Sequence, residues 1–203
     1  MNINIDEIIT ELNSLHNQLN KLLFDSKLKP VKIGIETSKF RRVQAWAYFD
    51  SNSGWQDGLS QITFLTSRWN GDYIKIISTL VHEMSHQYNF ENNIKDTEPS
   101  NGRHNKNFKS TASTFGLLNV ESSNGVQGLN ITNASDELIV IIENKLDFNK
   151  EALKVVHVDS VSIQKNKQKN YKYQCNCVNT IYLRKKVNIS CNDCNTPFVL
   201  KSV

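Results

Sequence analysis

"TLVHEMSHQYNF", residues 79–90, carries His82 and His86 one helical turn apart, with Glu83 directly after the first. Everything else in the chain is read outward from this stretch. On a helix, residues four apart share a face, so two imidazoles at this spacing can reach one Zn²⁺ at about 2.0–2.1 Å. A glutamate one position on turns toward the water beside the ion instead of binding the ion itself. Zinc lowers the pKa of that water to about 7 and polarises a carbonyl, while a neighbouring carboxylate takes the proton and passes it to the leaving amine. The spacing therefore predicts zinc-dependent hydrolysis of peptide bonds, with His82 and His86 as ligands and Glu83 as general base. In the helix expected over 72–90, Tyr73, Ile76, Ile77, Leu80, Val81 and Met84 form one apolar stripe facing the core. His82 and His86 fall opposite that stripe, about 40° apart on the helical wheel. Two solvated histidines on an exposed face would satisfy the wheel equally, but would give no reason for Glu83.

A hydrolytic zinc site needs a third protein ligand, with one position left open. Downstream there are two histidines, His104 and His157. His104 opens a second helix expected from 104 to 115, where Phe108, Ala112 and Phe115 make the buried stripe; it extends that stripe by one turn and should point inward. His157 lies in "KVVHVDS", a connector without clear periodicity, where an ordinary histidine is the better reading. Asn89 and Asn92 stand where a metzincin has glycine and histidine, and Glu98 sits beside Pro99 in a loop, not on the helix a thermolysin-type ligand needs. The expected third ligand is His104.

The remaining pattern places this site in an α+β domain. Ile5, Ile8, Ile9, Leu12, Leu15, Leu19 and Leu22 recur at helical spacing, predicting an amphipathic helix over about 5–24, ended by Lys29-Pro30. "VKIGIET", "VQAWAYFD" and "LSQITFLTS" read as three short strands. After the two site helices, with Gly116 expected as C-cap, Ser135 can cap a further helix through Leu146. The expected organisation is a catalytic domain over 1–150, a connector over 151–169 and a small module over 170–203.

That module holds all four cysteines: Cys175 and Cys177, then Cys191 and Cys194. The N-terminus has acidic residues where a secretion signal would be basic and then apolar, so the expected compartment is the cytoplasm, where thiols stay reduced and such pairs bind metal. The longest apolar run, "LIVII" at 138–142, is too short for a membrane span. Two thiolate pairs on tight turns predict a closed Cys₄ zinc ribbon, whose ion is structural because no position stays open. Asn195 tolerates the left-handed turn that follows such a pair. Two zinc ions are thus expected, one catalytic and one structural.

Charge is uneven. Residues 164–203 carry eight basic side chains against Asp193 alone, a net +7, while the rest of the chain is −3. Lys165, Lys167, Lys169, Lys172, Arg184, Lys185 and Lys186 are the candidate contacts to nucleic acid, with Tyr171, Tyr173, Tyr182 and Phe198 available either to stack on bases or to pack the ribbon's small core.

"LVHEMSHQYN", "GRHNKNFKSTASTFGL" and "YKYQCNC…ISCNDC" together resemble the SprT-like zinc metalloproteases, a family that includes Spartan, a protease of DNA–protein crosslinks. The resemblance covers the motif helix, the third-ligand segment and the cysteine-rich tail; Asn105 follows the histidine where many members have glycine. It implies a zincin-like fold, His82, His86 and His104 as zinc ligands, Glu83 as the catalytic base, and protein substrates on single-stranded or damaged DNA. Two other classes fit the same residues: a regulatory protease cleaving one protein partner with the ribbon as docking module, and a non-catalytic zinc-containing DNA-binding protein.

Overall fold

Asn4 begins the first helix by accepting the Asp6 N–H on its side chain, and the apolar spacing then carries α1 from Ile5 to Leu23, burying Ile8, Leu12, Leu15 and Leu19. The computed structural model describes residues 4–36, 45–98, 102–122, 129, 131–155 and 170–202. The chain divides into two units, Met1–Val158 and Asp159–Val203.

In the first unit the three predicted strand segments form β1 (Lys32–Glu36), β2 (Ala47–Asp50) and β3 (Gln61–Leu65). They make one sheet in the order β1-β3-β2, with β1 parallel and β2 antiparallel to β3, so β2 is an edge strand. A parallel pair needs a crossover, and the segment between β1 and β3 provides it by way of β2.

Asp72 caps α2 (Tyr73–Glu91) through the Lys75 N–H. Its apolar stripe is buried as the spacing requires, but the helix is not one-sided. Ser78, Thr79, Glu83, Ser85, Gln87 and Asn89 are buried as well, because α2 runs through the middle of the unit with α1 and β2 among its neighbours. The polar residues this encloses are paired: the buried His16 ring donates to Gln87 Oε1 at 2.9 Å, and Gln87 donates onward to Lys29 O and Glu91.

α3 spans Lys106–Thr114 and is shorter than the predicted 104–115, because Asn105 caps it by accepting the N–H groups of Asn107 and Phe108. His104 therefore lies outside the helix, in an extended stretch bridged to Thr97. The expected role of Gly116 is also corrected. The left-handed residue is Leu117, at φ 49°, and Gly116 instead lets α3 approach α2 closely. A Cβ there would sit 2.8 Å from Ala112 O and 2.9 Å from Val81 Cγ1.

β4 (Leu118–Glu121) and β5 (Ile131–Ala134) form an antiparallel pair absent from the sequence reading. α4 (Asp136–Asn144) follows under the Ser135 cap, and a short α5 (Lys150–Leu153) buries Ala152 and Leu153. The core thus continues past the residue-150 limit expected from sequence. Among the described residues no helix is long and apolar enough to cross a membrane.

The second unit is a three-stranded antiparallel sheet, β6 (Tyr171–Gln174), β7 (Thr180–Leu183) and β8 (Val199–Ser202), in the order β7-β6-β8. Tyr173 is its buried aromatic, and its hydroxyl accepts the Val187 N–H.

Candidate metal centre

His82, His86 and His104 come together, with one ligand atom from each lying within 4.8 Å of the others. Two rings come from α2, one turn apart, and the third arrives on the extended stretch before α3. The loop after α2 brings it there: Asn105 N donates to Asp96 O, while the Asn105 and Asn107 side chains both donate to Lys95 O. His104 thus reaches the cluster through a loop tied to the start of α3, not as the first turn of a helix.

Each ring is oriented by its Nδ1. His82 Nδ1 lies 3.0 Å from Thr132 Oγ1, His86 Nδ1 2.6 Å from Asp96 Oδ2 and His104 Nδ1 2.8 Å from Leu129 O. A carboxylate and a carbonyl only accept, so His86 and His104 carry their protons on Nδ1 and present bare Nε2 lone pairs. Those two Nε2 atoms are 3.1 Å apart. Two lone pairs facing at that distance repel unless a cation lies between them, and ligands at 2.0–2.1 Å around a tetrahedral ion are spaced about 3.3 Å. The donor set, its spacing and its second layer of hydrogen bonds all fit zinc. Three neutral imidazoles also match a soft-to-borderline divalent ion better than magnesium or calcium, which take oxygen.

The supporting layer is itself tied down. Asn89 donates to Asp96 Oδ2 at 3.1 Å and accepts the Thr111 hydroxyl at 2.6 Å, so a chain runs from α3 through α2 to the carboxylate behind His86. Beneath the rings, Phe108 packs on all three imidazoles, with centroids 4.7, 4.5 and 4.0 Å from His82, His86 and His104. This apolar floor keeps water off one side of the cluster.

A cleft of about 780 Å³ opens over the site, lined by Glu83 and the three histidines, by Tyr48 and Phe49 of β2, by Lys75, and by Ile131, Thr132 and Asn133 of β5. Glu83 is only 4% exposed. Burial pushes its carboxyl up to about 7, against the opposing pull of His86 and a hydrogen bond from the Phe49 backbone. Burial likewise lowers His82 well below the usual histidine value, with His86, His104 and Lys75 adding like-charge repulsion, and it lowers His104. Burial alone would raise Asp96, but the hydrogen bond and charge of His86, with Asn89, outweigh it and hold the carboxyl below its ordinary value. Burial thus disfavours charge on His82 and His104, and the Asp96 carboxylate stands beside His86, an arrangement suited to a cation.

In the second unit Cys175, Cys177, Cys191 and Cys194 also converge, and all four are free thiols. Sγ–Sγ separations of 3.2 Å for Cys175–Cys177 and 3.6 Å for Cys177–Cys191 are too long for a disulfide and near the roughly 3.8 Å expected between thiolates around zinc. Each pair is followed by a left-handed residue, Val178 at φ 69° and Asn195 at φ 53°, whose N–H donates back to Cys175 O and Cys191 O. Asn195 behaves as the sequence predicted; Val178, a β-branched residue in that conformation, is strained and held by the turn.

Other expected site residues are placed as follows. Lys172 is half-buried and Arg184, Lys185 and Lys186 are exposed on the second unit, whereas Lys165, Lys167, Lys169 and His157 lie outside the described residues. Tyr182 is 63% exposed, Tyr173 is buried, and Tyr171 and Phe198 are half-buried. Sequence reasoning missed Asp96, Thr132 and Leu129, which chain closure brings to the rings from up to fifty residues away, and Lys75, which lines the cleft two turns before His82 on α2 itself. No protein-family model, no curated protein and no solved structure matches the chain.

Proposed function

We propose that the first unit is a zinc-dependent endopeptidase of the SprT-like type with a zincin-like fold. One observation carries the reading: three histidines with their Nδ1 atoms engaged converge in a cleft that also holds a buried glutamate. Zinc held by His82, His86 and His104 would supply Lewis acidity toward a peptide carbonyl and toward water. Glu83 would hold a proton at its carboxylate and deliver it to the leaving amine, and the Phe49 N–H fixes the carboxylate for this role. Among the described residues β2 is an edge strand beside the cleft, placed for an extended polypeptide to pair alongside it. Thr132, Asp96 and Leu129 orient the ligands, and Phe108 excludes water beneath them.

A purely structural zinc site needs neither an accessible cleft nor a buried carboxylate beside its ligands, and this disfavours a non-catalytic reading. The Cys₄ centre is the structural zinc. The ribbon's exposed Arg184, Lys185, Lys186 and Tyr182 fit single-stranded or damaged DNA, so the substrates proposed are DNA-associated proteins. Glu83→Gln tests the hydrolytic core: two zinc ions per chain should remain while peptide cleavage falls by at least about a hundredfold. Zinc content dropping to one per chain would make Glu83 a ligand and overturn the assignment.

A further inference from the structure

Among the described residues that line the cleft, Lys75 is the one cationic side chain other than the histidines. It sits in the first turn of α2, where the helix dipole disfavours a cation, and it is half-buried. Burial holds its ammonium below the usual lysine value. Its Nζ donates to two neutral acceptors, Thr132 O at 2.9 Å and Asn133 Oδ1 at 3.5 Å. Among the described residues no carboxylate comes within ion-pair distance of it; Asp72 acts on it only through space, its carboxylate accepting the backbone N–H of the cap. An ammonium has three N–H donors, so one is left over at the cleft. Asn133 uses its oxygen on Lys75 and keeps its amide N–H₂ free to donate beside it. A partly desolvated cation next to an amide donor in an open cleft is complementary to a carboxylate.

The same strand fixes how far this pair is from the chemistry. Thr132, whose carbonyl accepts a hydrogen bond from Lys75 Nζ, holds His82 Nδ1 with its hydroxyl. An extended polypeptide advances about 3.3–3.5 Å per residue, so a group meeting Lys75 lies within about three residues of the bond held at the histidines. Among the described cleft-lining side chains, a bound divalent ion and Lys75 together outweigh Glu83 and Asp96, so the charges favour an anion.

We propose that Lys75 and Asn133 form a carboxylate-recognising subsite that selects substrates bearing an acidic group within about three residues of the scissile bond. This rests on the endopeptidase reading above and names its substrate class. The test uses the zinc-loaded full chain carrying Glu83→Gln and fluorescent end-blocked peptides that differ only in Glu, Gln or Lys at successive positions. At one position Glu should bind at least about tenfold tighter than Gln. The preference should survive Lys75→Arg, vanish in Lys75→Met with two zinc ions still bound, and turn toward Lys in Lys75→Glu. Neutral peptides with a free C-terminus provide a second arm; if these alone gain affinity through Lys75, the carboxylate read is the chain end. Equal binding of Glu and Gln peptides at every position, with no gain from a free C-terminus, overturns the subsite, as does a preference that persists in Lys75→Met. Cleavage by the unsubstituted chain is read separately: peptides bound with the preference but never cut would sink the endopeptidase reading and leave the subsite standing.

Discussion

His86 Nδ1 lies 2.6 Å from the Asp96 carboxylate, which Asn89 holds from behind while itself accepting the Thr111 hydroxyl. The contact fixes the tautomer that leaves Nε2 bare and makes the ring a stronger donor to a cation. Asp96→Asn keeps the size but loses the charge, and its amide can turn an N–H toward the ring. Zinc affinity at this site should fall by about 10–100-fold. Competition with a chelator measures it, with metal retention by the separate four-cysteine cluster as internal reference. Unchanged affinity would show that Asp96 does not tune the ligand.

His16 gives a pH dependence of stability that is independent of the metal ligands. It is 3% exposed, and burial lowers its pKa from 6.5 despite the hydrogen bond to Gln87. The folded state therefore prefers the neutral ring. Its contribution is intact above about pH 6.5, the unfolded value, and is lost as pH falls from there toward the lower folded value. Between pH 7 and 5.5 the unsubstituted chain should lose more stability than His16→Gln, at a slope of at most about 1.4 kcal/mol per pH unit. Denaturant titrations at the two pH values decide this; parallel losses would mean that the ring is not the titrating group.

Gly116 is required for packing. A methyl group there meets the backbone oxygen of Ala112 at 2.8 Å as well as Val81 on α2, and a backbone atom cannot swing aside. Gly116→Ala should cost roughly 1–3 kcal/mol by forcing α3 away from α2. A lowered thermal midpoint checks it, whereas a small gain, as for an ordinary glycine in a helix, would show that α3 moves freely.

For the ribbon, the expectation is single-stranded DNA binding that weakens steeply with salt. If Lys172, Arg184, Lys185 and Lys186 each neutralise one phosphate, the logarithm of affinity should fall with the logarithm of salt at a slope of about 3, and Arg184→Ala should reduce that slope by about 0.7. Fluorescence anisotropy across a salt series reads both. Absent or salt-insensitive binding would favour a protein-docking role for this unit.

Several of these features were legible in the chain alone, and for a common reason. α1, the apolar stripe of α2, the Ser135 cap and the two cysteine pairs are set by contacts within a few residues, where spacing on a helix or a tight turn fixes geometry. His82, Glu83 and His86 belong to the same group, since one helical turn suffices to align them. His104 does lie with the pair, but not as the first turn of a helix: the Asn105 cap, which determines where α3 begins, leaves it outside.

Tertiary structure decided the rest. Whether α2 shows one face or none to solvent depends on how many elements pack around it, and its buried Glu83, Gln87 and Asn89 follow from that enclosure. The partners that orient the three imidazoles, Thr132, Asp96 and Leu129, sit 50, 10 and 25 residues from the rings they hold. No periodicity spans such separations, because chain closure over loops, not local repeat, brings those atoms within hydrogen-bond reach. The sequence by itself thus determined which side chains can grip a metal; the fold determined which nitrogen each presents, and what stands beside it in the cleft.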